Sequence, residues 1–320
     1  MHVSEIKTVA CLGTGTMGHG VAFLAAKAGY AVRLFGRSGA SIARGLAGVD
    51  NAIALYEENG LMPKGSGPSI KARITGVTSL EEAAAGVDLV MESVAEDMAV
   101  KHEVFTAVER HAPPGAILAT DTSGLSPSAI SSVLERPERF AVIHFFSPAY
   151  LMPTVEVCPG PATLPSVRAV CAKWVTSLGS IPVEMEKEVQ GFLINRIQYA
   201  CLREACHIVE QGWASAEMVD KAIVNSLGRR YAETGPFESA DLGGLEIFAG
   251  TLAQLSKSLS RDTEASRLLL DPVSRGDHGA KTGKGVYDWP GEKAAARRKA
   301  REKMLVAFMK KDMGQGFCGK

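Results

Sequence analysis

Apolar residues in the first half of the chain fall into short unbroken runs, and these alternate with stretches of helical period. Thr8 to Leu12 is one such run and ends at Gly13, the pattern of a parallel strand covered on both faces. Met17 to Ala28 follows with Val21, Leu24, Ala25 and Ala28 at helical spacing, and Gly29 supplies a stop. Strand signals recur at Ala31 to Phe35, Asp88 to Val94, Ala116 to Ala119 and Ala141 to Phe145, with a helical segment at Lys101 to Arg110 among them. The alternation predicts an α/β domain built on a parallel, doubly wound sheet. Asn59 to Ser69, rich in Gly, Pro and Ser, reads as a connection between two helices, and shorter strands at Thr154 to Cys158 and Ile181 to Glu184 close the domain.

From Gly191 onward the period is helical. Phe192, Leu193, Ile197, Tyr199 and Leu202 lead a long helix ending near Gly212. Ala216 to Ser226 and Leu242 to Leu259 read as two more helices, and Ala294 to Lys311 as a basic amphipathic one. The expected boundary lies near Lys187, dividing the chain into 1–187 and an all-α domain at 188–320.

A length of 320 residues suits two domains, and 46% apolar content excludes a mostly disordered chain. Lys and Arg number 35 against 35 Asp and Glu, so the surplus of cations that a nucleic-acid binder needs is missing. No apolar run is long enough to cross a bilayer, and the N-terminus carries charges where a secretory signal would be apolar. A cytoplasmic, soluble protein is expected. The cysteines Cys11, Cys158, Cys171, Cys201, Cys206 and Cys318 form no CxxC pair. Neither a metal site nor a disulfide framework is indicated, and they read as small buried thiols of a reducing compartment.

Gly13-Thr14-Gly15-Thr16-Met17-Gly18 fits GxGxxG directly after a strand and at the opening of a helix. The first glycine permits the tight turn, the second lets the backbone approach a pyrophosphate, and the third lets helix and strand pack closely. A dinucleotide is therefore the expected cofactor. At the end of the second strand, an NAD-binding fold usually carries an acid for the ribose 2′-hydroxyl. Here Gly36 stands there, followed by Arg37 and Ser38. A guanidinium and a hydroxyl suit a 2′-phosphate, so NADP(H) is expected in preference to NAD(H). The alternative is that Arg37 is a solvated surface residue and NAD is used without the acid.

Further segments carry a resemblance. Val90-Met91-Glu92-Ser93-Val94-Ala95-Glu96-Asp97 with Lys101, Thr120-Asp121-Thr122-Ser123, His144-Phe145-Phe146-Ser147-Pro148 and Val155-Glu156-Val157 follow one another in order. Gly191-Phe192-Leu193-Ile194-Asn195-Arg196 and Lys281 to Tyr287 continue the series. Together they resemble the 3-hydroxyacyl-CoA dehydrogenase family over nearly the whole chain. The resemblance implies a Rossmann domain followed by an all-helical domain that forms a homodimer. It also implies that His144 and Glu156 form a catalytic pair, that Ser123 and Asn195 contact substrate, and that Ala95, Glu96 and Lys101 lie along the cofactor.

The residues carry a physical reading of their own. Hydride transfer from a secondary alcohol requires its hydroxyl proton to leave, and imidazole is the side chain suited to take it at neutral pH. A carboxylate on the next strand can fix the histidine tautomer, as Glu156 would for His144. Ser123 follows a strand end, where open α/β sheets place ligands. Taken singly, His144 reads as a core histidine, Glu156 as an edge-strand residue, and Ser123 and Asn195 as caps; the ordered set favours the catalytic reading. The Lys281 to Gly285 turn lacks the spacing of a phosphate loop, and the basic run Arg297-Arg298-Lys299 reads as a solvated helix face.

Asp121 and Ser147 stand where hydroxyacyl-CoA members usually carry Asn, and Lys64, Lys71 and Arg73 lie near the connection that would meet CoA. Lys187 to Gly191, Asn195 to Tyr199, Leu227 to Tyr231 and Gly235-Pro236 are similar to the L-gulonate 3-dehydrogenase (lambda-crystallin) branch, which acts on small free hydroxy acids. Arg229 or Arg230 then offers a fork for a substrate carboxylate. A 3-hydroxyacyl-CoA is the first expected substrate class, and a free gulonate- or carnitine-like hydroxy acid the second. A dinucleotide-binding protein without turnover is the third reading.

Overall fold

The computed structural model describes residues 2–315, so Cys318 lies outside the described residues. One sheet contains β1 (Thr8–Leu12), β2 (Ala31–Phe35), β3 (Ile74–Val77), β4 (Leu89–Glu92), β5 (Ile117–Thr120), β6 (Phe140–Phe145), β7 (Thr154–Pro159) and β8 (Ile181–Glu184). Their order across the sheet is β3-β2-β1-β4-β5-β6-β7-β8. Strands β1 to β6 are parallel, β7 pairs antiparallel with β6, and β8 runs parallel to β7. The parallel, doubly wound sheet expected from the alternation is present in β1 to β6, and β7 departs from it. Residues 146–153 join β6 to β7, and a parallel return needs a crossover of roughly a dozen residues or more.

The sheet-bearing part carries α1 (Thr16–Lys27), α2 (Gly39–Glu58), α3 (Gly67–Lys71), α4 (Leu80–Ala84), α5 (Met98–His111), α6 (Pro127–Ser131) and α7 (Pro165–Ser177). Side chains alternate across each strand. Val9 and Cys11 of β1 join a core with α1, α2 and α7, whereas Ala10 and Leu12 join one with α4, α5 and α6. Both faces are thus covered, and this is why the strands read as unbroken apolar runs.

Helices α8 (Ile194–Glu210), α9 (Ala216–Asn225), α10 (Leu227–Tyr231), α11 (Pro236–Gly243), α12 (Leu245–Leu255), α13 (Arg267–Ser274) and α14 (Lys293–Gln315) follow. The single helix expected from Leu242 to Leu259 is divided, because Gly244 takes a φ of +94° between α11 and α12. The chain separates into two compact units. One comprises residues up to Leu193 together with those from Ala300 onward, and the other is Ile194–Lys299. The sequence pattern assigned everything from 188 to the helical domain. The later part of α14 instead groups with the sheet, where Val306 is buried and Leu305 and Met309 pack against the same core. Cys11, Cys158, Cys171 and Cys206 are buried, but Cys201 is exposed on α8, which corrects its reading as a core thiol. Burial pushes the thiols of Cys11, Cys158 and Cys171 up to about 12. Among the described residues, no helix is long and apolar enough to cross a membrane, and no His/Cys/Asp/Glu group could hold a metal ion.

Candidate active site

The glycine turn connects β1 to α1 at the carboxyl edge of the sheet. Gly13 has a φ of +122°, and a Cβ there would strike the Ser93 carbonyl oxygen. A Cβ on Gly18 would strike the Gly13 carbonyl oxygen, whereas nothing lies within 4 Å of one on Gly15. Two glycines are thus demanded by packing and the middle one leaves open space. Gly15 is the N-cap of α1 and no side chain caps that end, so the first-turn N–H groups at Thr16, Met17 and Gly18 remain for an anion. These features fit a dinucleotide pyrophosphate.

At the end of β2, Gly36 is buried, and a Cβ there would stand 2.5 Å from Ser41 Oγ and 2.9 Å from Thr14 Cγ2. An acid at this place has no room without a shift of Ser41. Arg37 is exposed. Ser38 serves as the N-cap of α2, its hydroxyl accepting the Ser41 N–H at 3.2 Å.

The ends of β4 and β5 carry a buried ionic cluster. Glu92 accepts from Lys101 Nζ at 2.8 and 2.9 Å, from the Thr120 hydroxyl at 2.6 Å and from the Val94 N–H at 2.7 Å. Lys101 Nζ also meets Glu96 at 3.3 Å. Lys101 is only 1% exposed and its ammonium is committed to Glu92 beneath the surface, whereas Glu96 and Ala95 are exposed. Burial, the largest influence on Glu96, favours its neutral form. The Thr122 hydroxyl, Lys101 and the Ser123 N–H outweigh it and hold the carboxyl below its usual range.

His144 and Glu156 are direct partners in the antiparallel register of β6 and β7. They stand on the sheet face covered by α4 to α6, as the alternation with Ile143 and Phe145 requires. His144 Nδ1 lies 2.8 Å from Glu156 Oε2, and both side chains are buried. The other carboxylate oxygen, Oε1, accepts the Leu193 N–H at 2.8 Å. Gly191 and Phe192 have φ values of +77° and +50°, and this left-handed pair turns the chain so that Leu193 meets the carboxylate. The Phe146 and Phe192 rings flank His144 at centroid distances of 4.6 and 5.5 Å. A carboxylate beside Nδ1 keeps the proton on that nitrogen and leaves the Nε2 lone pair as an acceptor.

Ser123 is exposed just after β5, and its N–H donates to Glu96 Oε1 at 3.0 Å. It belongs to the same unit as the histidine pair and the glycine turn. Asn195 opens α8, and Arg230 is exposed on α10; both belong to the second unit. Arg229 donates to Asn225 Oδ1 at 3.1 Å. The Lys281 to Gly285 segment forms a turn closed by Gly279–Lys284 and Lys284–Asp288 bridges. The Leu193 N–H escaped sequence reading because a backbone donor carries no residue identity. Glu92 had a signal, an acid inside an otherwise apolar run.

The uncapped glycine turn on a doubly wound sheet defines a dinucleotide-binding protein, and the buried histidine–carboxylate pair is an arrangement suited to acid/base chemistry. The model of the 3-hydroxyacyl-CoA dehydrogenase NAD binding domain matches residues 8–189, and that of the C-terminal domain matches residues 191–289. The chain belongs to the 3-hydroxyacyl-CoA dehydrogenase family, whose members oxidise or reduce at a CH–OH centre with a nicotinamide dinucleotide. It is 30% identical to the 5-formyl-3-hydroxy-2-methylpyridine 4-carboxylate 5-dehydrogenase of Mesorhizobium japonicum, over 94% of this chain and 97% of that protein. A crystal structure of an enzyme of that description, called an NAD+ dependent dismutase, matches with a TM-score of 0.88 over 94% of this chain and 97% of that one. An L-carnitine dehydrogenase of Oceanobacillus iheyensis is 37% identical over 75% of this chain and 76% of its own. A probable 3-hydroxybutyryl-CoA dehydrogenase of Bacillus subtilis is 34% identical over 89% and 98%.

Proposed function

We propose that the protein is an NADP(H)-preferring dehydrogenase of a small free hydroxy acid, with His144 as acid/base and Glu156 as its orienting partner. The observation that carries the reading is the 2.8 Å contact between His144 Nδ1 and Glu156 Oε2 in a buried register pair. The cofactor, when bound, gives or accepts the hydride. His144 Nε2 takes the hydroxyl proton of the alcohol, and the imidazolium so formed is held by Glu156. Glu156 itself is steadied by the Leu193 N–H. Ser123, which belongs to the same unit as His144, serves as a substrate contact. Gly13, Gly15, Thr16, Met17 and Gly18 hold the pyrophosphate. Arg37 takes the 2′-phosphate, a role supported by its exposure and by the lack of room for an acid at Gly36.

Relatives named for carboxylated substrates without CoA support the free acid: one matches nearly end to end, and the carnitine relative exceeds the hydroxybutyryl-CoA relative in identity. The candidate CoA cations point the same way only slightly. Lys71 pairs with Asp50 at 2.7 Å, and Arg73 donates to the Ser69 carbonyl at 2.8 Å, but an exposed pair is worth ~0–1 kcal/mol and a phosphate can displace it. Within the second unit, Phe237, Leu242 and Leu252 are 88, 76 and 62% exposed, which supports a homodimer formed through that unit.

The test is a panel of free 3-oxo acids and acetoacetyl-CoA, each with NADPH and NADH, followed by nicotinamide absorbance. Turnover of free acids with NADPH is expected. Turnover of acetoacetyl-CoA alone overturns the substrate class, faster reaction with NADH overturns the cofactor preference, and binding without turnover overturns the dehydrogenase.

A further inference from the structure

Between the glycine turn and His144 lies a buried carboxyl group that the proposed chemistry leaves unused. Asp121 directly follows β5 and is 8% exposed. Its Oδ1 accepts the Phe145 N–H at 2.8 Å, on the strand that carries His144. Its Oδ2 lies 3.4 Å from the Ser93 hydroxyl at the end of β4. Ser93 in turn backs the dinucleotide turn: its N–H donates to the Leu12 carbonyl at 2.8 Å, and its carbonyl oxygen is the atom that a Cβ on Gly13 would strike. One side chain therefore spans the distance between the turn and the histidine strand.

The charges around Asp121 decide its form. Glu92 and Glu96 already share the single ammonium of Lys101. On β6 the nearest titratable neighbour is His144, whose Nδ1 is committed to Glu156. Two carboxylates thus outnumber one cation, and a third charge would be buried without compensation. Burial raises the Asp121 carboxyl well above its usual range and Glu92 adds to the effect; the Phe145 N–H, Lys101 and Ser93 oppose it without cancelling it.

We propose that Asp121 is a positioning residue: as a neutral acid it accepts the Phe145 N–H and keeps its second oxygen against the Ser93 hydroxyl, and so holds Gly13 and His144 at a fixed spacing. The purpose of the brace rests on the dehydrogenase reading; its existence does not. Ionisation leaves a charge that this site cannot solvate, and the strand ends part to admit water. The raised folded value means that Asp121 binds a proton in the folded state while its unfolded form has lost one. Its contribution to stability therefore declines as pH rises from the ordinary carboxylate range through the folded value.

Asp121→Asn preserves the shape and the acceptor for Phe145 without the ionisation. Thermal melts of the protein without cofactor are expected to show Asp121→Asn above wild type at neutral pH, by a margin that widens as pH rises. Fluorescence titration is expected to show wild-type dinucleotide affinity weakening in alkali while Asp121→Asn stays level. Asp121→Ala is expected to bind about tenfold more weakly at every pH, the effect of one unmade hydrogen bond at a buried group. Infrared spectra of wild-type protein carrying ¹³C-aspartate should contain a protonated carboxyl band at a pH above the ordinary carboxylate range, and this measurement needs no variant to fold. Absence of that band, or parallel melting curves for wild type and Asp121→Asn, overturns the proposal. None of these readouts needs turnover, so an inert substrate panel beside a positive infrared result removes the dehydrogenase reading alone.

Discussion

At the scale of single residues, the proton inventory of the site is set by who faces whom. Glu156 occupies one side of the His144 ring, so the other side alone is left for a substrate proton. His144→Ala should lower kcat by about 10² to 10⁴, the usual worth of a positioned acid/base, and leave the dinucleotide Kd unchanged by fluorescence titration. A near-normal kcat would remove His144 from the chemistry. Arg37→Asp should move the ratio of kcat/KM toward NADH, measured with both cofactors on one substrate; an unchanged ratio would leave Arg37 as surface. Glu96 obeys the opposite linkage to Asp121. Its folded value is depressed, so the stability it adds is present above the unfolded carboxylate range and lost as pH falls through the folded value. Glu96→Gln should therefore melt below wild type at neutral pH, with the gap closing as pH falls through the depressed folded value. A gap that persists in acid would contradict the assignment.

At the scale of elements, the glycine turn separates packing from binding. Gly18→Ala places a methyl against the Gly13 carbonyl and should cost stability as well as affinity, whereas Gly15→Ala meets open space. Gly15→Ala should keep the wild-type melting temperature and bind dinucleotide about tenfold more weakly, read by titration; unchanged affinity would mean that no ligand approaches there. These elements also show what a sequence can display. β1, β2 and β8 begin and end where their patterns indicate. β3 went unread because two of its four residues are exposed and its apolar pattern is broken. The reversal at β7 depends on the length of a connection, and the Gly244 break on a backbone angle, neither of which apolar periodicity encodes. Within the site, the glycines are read from their strand–turn–helix context, and His144 and Glu156 only from the ordered motifs that resemble the family. The Leu193 N–H and the Asp121 brace were not legible, since each arises from chain direction and burial.

At the scale of the molecule, two features reach beyond the site. The exposed apolar side chains of α11 and α12 should be covered by a second copy, and sedimentation at micromolar concentration should give a dimer. Leu242→Asp combined with Leu252→Asp should shift it to a monomer, and a dimer that persists would place the contact elsewhere. The second feature is the return of α14 to the sheet-bearing unit. Val306 is buried in that core, and losing such a side chain removes ~1.5–3 kcal/mol of apolar burial. Deleting residues from Ala300 onward should therefore lower the melting temperature of the unit that contains Trp174, followed by its fluorescence; an unchanged melt would make the helix dispensable. The same arrangement governs the order of events during synthesis. Domains ordinarily finish folding as they leave the ribosome, amino end first. Here the nucleotide-binding half emerges early but lacks a piece of its interior until translation has passed through all of Ile194–Lys299. A nascent chain halted before that point would present an unfinished half, its apolar seam open to chaperones and proteases.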